Sequence, residues 1–231
     1  MKELDILFED NHLLAVNKKC GVLVQADKTG DPSLEEDVKE YIRVKYNKPG
    51  EAYLGVPHRI DRPTSGVVLF AKSNKALVRI NVMLQEGNQI NKVYWAIVDK
   101  RPPLEHETLT HYIYRDTNKN KSVAYSKASK YTKEGKLTYT LIGATKHYAL
   151  LEIDLHTGRH HQIRAQLAKI GCHIKGDLKY GAARSNEDGG IHLHARSLEF
   201  IHPVTKENIK ITARPPIDPL WMEFLGLFKQ N

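Results

Sequence analysis

Residues 66–71, Gly-Val-Val-Leu-Phe-Ala, form an unbroken apolar run with dense charge just before it: His58, Arg59, Asp61 and Arg62 fall within five positions. A short apolar run bounded by turn residues predicts a strand buried on both faces, which needs cover on either side. The charge ahead of it is then either a solvated loop or a group that the strand aims. Positive charge on both sides of Asp61 favours its ionised form. An ionised carboxylate held among arginines suits nucleophilic or base work on an anionic substrate. The same residues also fit a surface Arg–Asp–Arg cluster worth about 0–1 kcal/mol.

The remaining pattern points to α+β: a mixed, largely antiparallel sheet with flanking helices, since strands and helices do not alternate regularly. Short strands are predicted at Ile6–Phe8 and Leu13–Asn17, joined by Glu9-Asp10-Asn11. Ser33-Leu34-Glu35-Glu36 matches a capping box and opens a helix over 34–46. A second helix is expected over 75–86, with Gly87 as its stop. Strands follow at 92–98, 137–142, 148–155, 192–200 and 208–212. A third helix is expected after Thr157 to Ile170, closed by Gly171, and a short fourth ending near Phe228. The lysine-rich stretch 100–136 reads as an inserted hairpin or a loop.

Composition narrows the partners. The 231 residues carry 35 Lys and Arg against 27 Asp and Glu, a net charge of +8 that favours polyanions. No apolar run approaches the roughly 18 residues of a membrane span, and the N-terminus lacks signal-peptide character. Cys20 and Cys172 lie far apart, so a reduced, cytoplasmic protein is expected. No Walker loop, G-x-G-x-x-G or serine elbow is present.

Two further constellations carry chemistry. In His156–Arg164, HTGRHHQIR, Thr157 is a suitable N-cap, and a helix behind it would place His160 and Arg164 on one face. Arginines and histidines near a helix start make a favourable phosphate environment, though an exposed basic face looks the same. In Lys92-Val93-Tyr94-Trp95-Ala96, alternation puts Lys92, Tyr94 and Ala96 on one face, where Tyr94 suits base stacking or core packing. His192-Leu193-His194 places two imidazoles on one strand face, which leaves a metal pair open, but neither H-E-x-x-H nor a supporting carboxylate accompanies it.

Taken together, these segments resemble the RluA family of RNA pseudouridine synthases. His58-Arg59-Ile60-Asp61-Arg62-Pro63-Thr64-Ser65-Gly66 is similar to its signature, Lys92-x-Tyr94-x-Ala96 to its tyrosine motif, and Thr157-Gly158-Arg159-x-His161-Gln162-Ile163-Arg164 to its third motif. Gly176-Asp177, Tyr180-Gly181, Leu193-His194-Ala195 and Phe200-x-His202-Pro203 follow in the family's order. The resemblance implies the synthase catalytic fold with a central basic cleft, and isomerisation of uridine in structured ribosomal or transfer RNA, with no cofactor and no metal. It implies Asp61 as the catalytic aspartate, acting on the ribose, on the base or through a glycal. Arg164 is implied as its partner, Tyr94 as the residue packing on the base and Arg59 as the residue serving the flipped nucleotide. His58, Arg62, Thr64, Arg159 and His161 are candidates for holding substrate. A single catalytic domain over 1–231, without the S4-like domain of longer members, is expected, as is a monomer. Two departures stand: Lys19-Cys20-Gly21 replaces a proline-bearing turn, and Gln166 replaces a common histidine. Two rival functions remain, a catalytically silent RNA-binding protein of this fold and a histidine-metal hydrolase.

Overall fold

The computed structural model describes residues 3–86 and 89–227. In chain order the elements begin β1 (Ile6–Glu9), β2 (Leu13–Lys18), α1 (Leu34–Lys45), β3 (Ser65–Ala71) and α2 (Asn74–Gln85). Then come β4 (Ile90–Val98), β5 (His106–Asp116), β6 (Lys121–Tyr125), β7 (Lys133–Ala144) and β8 (Ala149–Leu155). The chain closes with α3 (Gln162–Lys169), a 3-10 turn (Leu178–Tyr180), β9 (Leu193–Ile201), β10 (Asn208–Thr212) and α4 (Pro219–Leu227). The described residues fall into two compact units. The first holds the chain up to Ile90 with Ala195–Arg214, and the second holds Asn91–His194 with the chain from Pro215.

In the first unit the strand order is β1-β2-β3-β9, with β10 paired to β9. Strands β2 and β3 run antiparallel from Leu13 opposite Ala71 to Lys18 opposite Gly66. Every residue of β3 is buried, as its composition requires. Val67, Leu69 and Ala71 join Leu13 and Ala15 of β2 and Ala76 and Ile80 of α2 in one cluster. Each such side chain contributes roughly 1.5–3 kcal/mol by leaving water. Helix α1 starts with the expected reciprocal cap: Glu36 N donates to Ser33 Oγ, and Ser33 N donates to Glu36 Oε2 at 2.8 Å. Helix α2 is capped by Ser73, whose hydroxyl accepts from Ala76 N. The expected stop at Gly87 lies outside the described residues, as does Phe228.

Gly66 has φ +114°, and a Cβ there would fall 2.2 Å from the Ala195 carbonyl oxygen. Only glycine admits both that backbone and that approach. The glycine therefore sets how closely the entry of β3 approaches Ala195.

In the second unit five antiparallel strands follow the order β4-β8-β7-β5-β6. One face takes Ala96 and Val98 of β4, Leu151 and Ile153 of β8, and Ile163 and Leu167 of α3. The other takes Trp95, Ile97 and Leu150 with Trp221 and Phe224 of α4. The alternation expected in β4 is thus seen, and Tyr94 lies on the α3 side. The stretch 100–136 is a hairpin: β5 pairs with both β6 and β7. The third helix departs from expectation. It begins at Gln162, not after Thr157, with His161 at the N-cap in a left-handed conformation, φ 51°. Thr157 is occupied elsewhere, donating to Gln162 Oε1 at 2.8 Å and accepting from Lys136 N at 2.8 Å. His160 therefore precedes the helix and shares no helical face with Arg164.

Candidate active site

The loop carrying Asp61 is fixed from several sides within the first unit. Ile60 is buried and anchors the segment between exposed Arg59 and half-buried Asp61. Thr64 N donates to Asp61 O at 3.0 Å, closing a turn just before β3. His58 Nε2 accepts from Leu69 N at 2.9 Å, tying the start of the loop to the strand it leads into. That bond requires a neutral ring at Nε2. Arg62 donates through Nε to Gly21 O and through Nη1 to Asp31 at 2.7 Å, an exposed pair. Thr64 Oγ1 is buried with no hydrogen-bond partner among the described residues.

Sequence reasoning did not single out Lys18, which is 1% exposed. Its ammonium donates to Lys19 O, Val22 O and Arg62 O at 2.8–3.1 Å, so all three donors are used. Burial pushes its pKa down to about 8, against the opposing pull of Cys20 and Asp61. Gly21 N also donates to Arg62 O at 2.9 Å. The turn that departs from the family's proline pattern is thus stitched to the residue after Asp61. A buried lysine at the end of an apolar strand was the signal available in the sequence.

In the second unit Arg164 is buried and forms a two-toothed pair with Asp177, Nε to Oδ2 at 2.7 Å and Nη2 to Oδ1 at 2.8 Å. Its guanidinium carbon also lies 4.9 Å from the centroid of the Tyr180 ring. Tyr180 in turn bonds Ser122 N at 2.8 Å and His161 Nδ1 at 3.0 Å through its hydroxyl. The planar fork of Arg164 is therefore held in one orientation by a carboxylate and a ring. Tyr94 sits half-buried on β4 opposite Ile153, against the α3-side core. Gln166, at the second departure from the family pattern, donates to Leu109 O and Gly135 O at 3.2 and 3.1 Å and so ties α3 to β5 and β7.

The other expected residues of this unit are placed as follows. Arg159 is exposed, with Nε donating to Glu134 O at 2.8 Å. His160 stacks on His161 at 3.8 Å between centroids and bonds Ser122 Oγ. His192 and His194 both lie against the Trp221 indole, and His192 also bonds Asn186. Among the described residues no three His, Cys, Asp or Glu side chains are grouped to hold a metal ion. No helix among them is long and apolar enough to cross a membrane.

The loop aspartate Asp61, the strand tyrosine Tyr94 and the carboxylate-pinned Arg164 follow one another along the chain. The sequence profile described as RNA pseudouridylate synthase matches residues 12–169, which include all three. The chain belongs to the RNA pseudouridylate synthase family. It is an isomerase acting on RNA. It is 33% identical to the ribosomal large subunit pseudouridine synthase C of Buchnera aphidicola, over 96% of this chain and 70% of that protein. It is 32% identical to the tRNA pseudouridine synthase C of Haemophilus influenzae, over 97% of this chain and 98% of the other. In fold it matches the human RNA pseudouridylate synthase domain containing 4, at a TM-score of 0.78 and 22% identity over 97% of this chain and 92% of that one.

Proposed function

We propose that this pseudouridine synthase converts uridine in structured ribosomal or transfer RNA, with Asp61 as the residue that acts on the target nucleotide. The reaction is an isomerisation: the N1–C1′ bond breaks, the uracil turns, and C5 bonds to C1′. The C5 proton leaves as N1 gains one, so nothing is consumed. Within that sequence Asp61 serves cleavage of the glycosidic bond, Tyr94 packs on the base and assists removal of the C5 proton, and Arg164 supplies positive charge to the aspartate's chemistry. Arg59 and Arg62 serve the flipped nucleotide and its backbone, and Arg159 and His161 also hold substrate. His58 and Thr64 shape the loop that presents Asp61.

The observation that most supports this reading is the bracing of the Asp61 loop by Lys18, His58 and the Thr64 amide. A solvated surface pair needs no such bracing, whereas a reacting group does. Extruding a base costs a few kcal/mol, and less where it is already unpaired, which favours loops in folded RNA as substrates. The relatives named for ribosomal and transfer RNA support those two classes equally. The test is tritium release from RNA labelled at uridine C5, run in excess chelator. Release by the native chain that disappears in Asp61→Asn supports the assignment, and full release by Asp61→Asn overturns it.

A further inference from the structure

Lys92 on β4 is part-buried, yet its ammonium has no hydrogen-bond or ion-pair partner among the described residues. Burial lowers its pKa, and the charge of Arg159 lowers it further. A Cβ placed on Gly158 would lie 3.8 Å from Lys92 Nζ, so the ammonium rests beside the bare backbone of the 157–159 turn. Among the described residues the Gly158 amide also has no hydrogen-bond partner, and the Arg159 guanidinium uses only Nε, on Glu134 O at 2.8 Å. Glu134 on β7 and Glu152 and Asp154 on β8 are the carboxylates of those two strands, Glu152 accepting from Trp95 Nε1 at 3.0 Å, and among the described residues none forms an ion pair with Lys92 or Arg159. Two cations are thus held side by side with no anion between them. Arg159 is exposed, but the part-buried Lys92 loses some of its hydration with no partner among the described residues, a cost that an anion would relieve.

The turn itself is rigid. Gln162 is 3% exposed, and its Oε1 accepts from Thr157 Oγ1 at 2.8 Å and from Arg159 N at 3.0 Å. Its Nε2 donates to Lys136 O at 3.2 Å. One buried side chain therefore fixes Thr157, Gly158 and Arg159 against β7. Lys92 also shares a strand face with Tyr94, two residues on, which sets them ~7 Å apart along β4. That is about the spacing of a base-contacting group from a neighbouring phosphate.

We propose that Lys92, the Gly158 amide and Arg159 form a seat for one phosphodiester of the RNA backbone beside the nucleotide that Tyr94 contacts. The role rests on the synthase reading and gives Lys92 a function that reading leaves unassigned. The seat is oriented, since the ammonium, amide and guanidinium come from one strand and one fixed turn. It positions the strand of RNA without reading its sequence.

The test compares the native chain, Lys92→Gln and a control, Lys146→Gln, which changes an exposed lysine in the turn between β7 and β8, at the end away from Thr157. The probe is a fluorescein-labelled RNA stem–loop with uridines in the loop, and log Kd is followed against log salt concentration. Lys92→Gln is expected to bind roughly tenfold more weakly at low salt, with a slope shallower by about 0.7–1, while the control keeps the native slope. Its melting temperature is expected to hold or rise, because a part-buried charge with no partner among the described residues has gone. In a series of single methylphosphonate substitutions, the one that weakens the native chain is expected to leave Lys92→Gln unchanged. An unchanged slope, or a sharp fall in melting temperature, overturns the seat. Tritium release by the native chain, measured alongside, separates the two questions. Its absence overturns the synthase reading, while normal release with an unchanged Lys92→Gln slope overturns only the phosphate seat.

Discussion

Arg164 and Asp177 are locked together by two short bonds, 2.7 and 2.8 Å, with side-chain exposures of 6% and 1%. The arginine expected to serve chemistry is thus first a member of a buried ion pair, with the Tyr180 ring beside it. This pairing allows a strong positive charge to be kept in a low-dielectric place in one orientation.

Asp177→Asn should therefore be far from silent. It leaves a buried guanidinium short of its counter-charge, for which roughly 3–5 kcal/mol is expected. Urea unfolding measures that loss. Turnover by the folded fraction should also fall, although Asp177 is assigned no contact with substrate. Arg164→Lys should lower turnover too, since an ammonium cannot reproduce the two-toothed pair.

Gly66→Ala should be among the most damaging single-methyl changes in the chain. The new Cβ would meet the Ala195 backbone at 2.2 Å, and φ is +114°. A loss of about 3 kcal/mol or more, or failure to accumulate as folded protein, is expected. Gly171→Ala is the control: φ is +80°, but nothing lies within 4 Å of the added carbon. It should cost only about 1 kcal/mol. Urea midpoints of the two variants make the comparison.

Acid should loosen the first unit through Glu9. Burial pushes its carboxyl up, but bonds from Lys45, Lys72, Tyr46 and Tyr41 outweigh that, and it sits lowered to about 2 against an ordinary 4.5. A lowered carboxylate contributes stability that is present above the unfolded value and lost as pH falls through the folded one. Stability should then drop between about pH 4.5 and 2, and Glu9→Gln should remove that part of the slope. Denaturation midpoints across this range for both chains check it.

Lys18 has the opposite sign. Burial holds its folded pKa at about 8, below the ordinary 10.5, so the unfolded chain binds the proton more tightly. Its contribution to stability should rise from about pH 8 to 10.5, and Lys18→Met should flatten that rise. The same variant removes the ammonium's bonds to Lys19 O, Val22 O and Arg62 O, leaving Gly21 as the remaining tie between that turn and Arg62. Turnover should fall by about tenfold or more through displacement of the Asp61 loop.

Much of the fold was legible because it rests on local rules. The Ser33–Glu36 cap, the two-faced burial of β3 and the alternation of β4 all follow from residue type and spacing. Where local rules competed, the sequence misled. Thr157 has the chemistry of an N-cap, but its hydroxyl is taken by Gln162 and Lys136, and the helix waits until Gln162. Strand β5 hid in a polar stretch because only Leu109 and Ile113 are buried along it. The supports of the site were hardest to see, since Asp177 and Tyr180 matter through contacts that no spacing rule encodes.

The central claim is that Asp61 carries the chemistry. The most direct measurement is single-turnover conversion of C5-tritiated uridine RNA by the native chain and by Asp61→Asn, with RNA affinity and melting temperature measured on the same samples. Tritium release by the native chain and none above background from Asp61→Asn are expected, with affinity and melting temperature close to native. Release at the native rate from folded Asp61→Asn would contradict it.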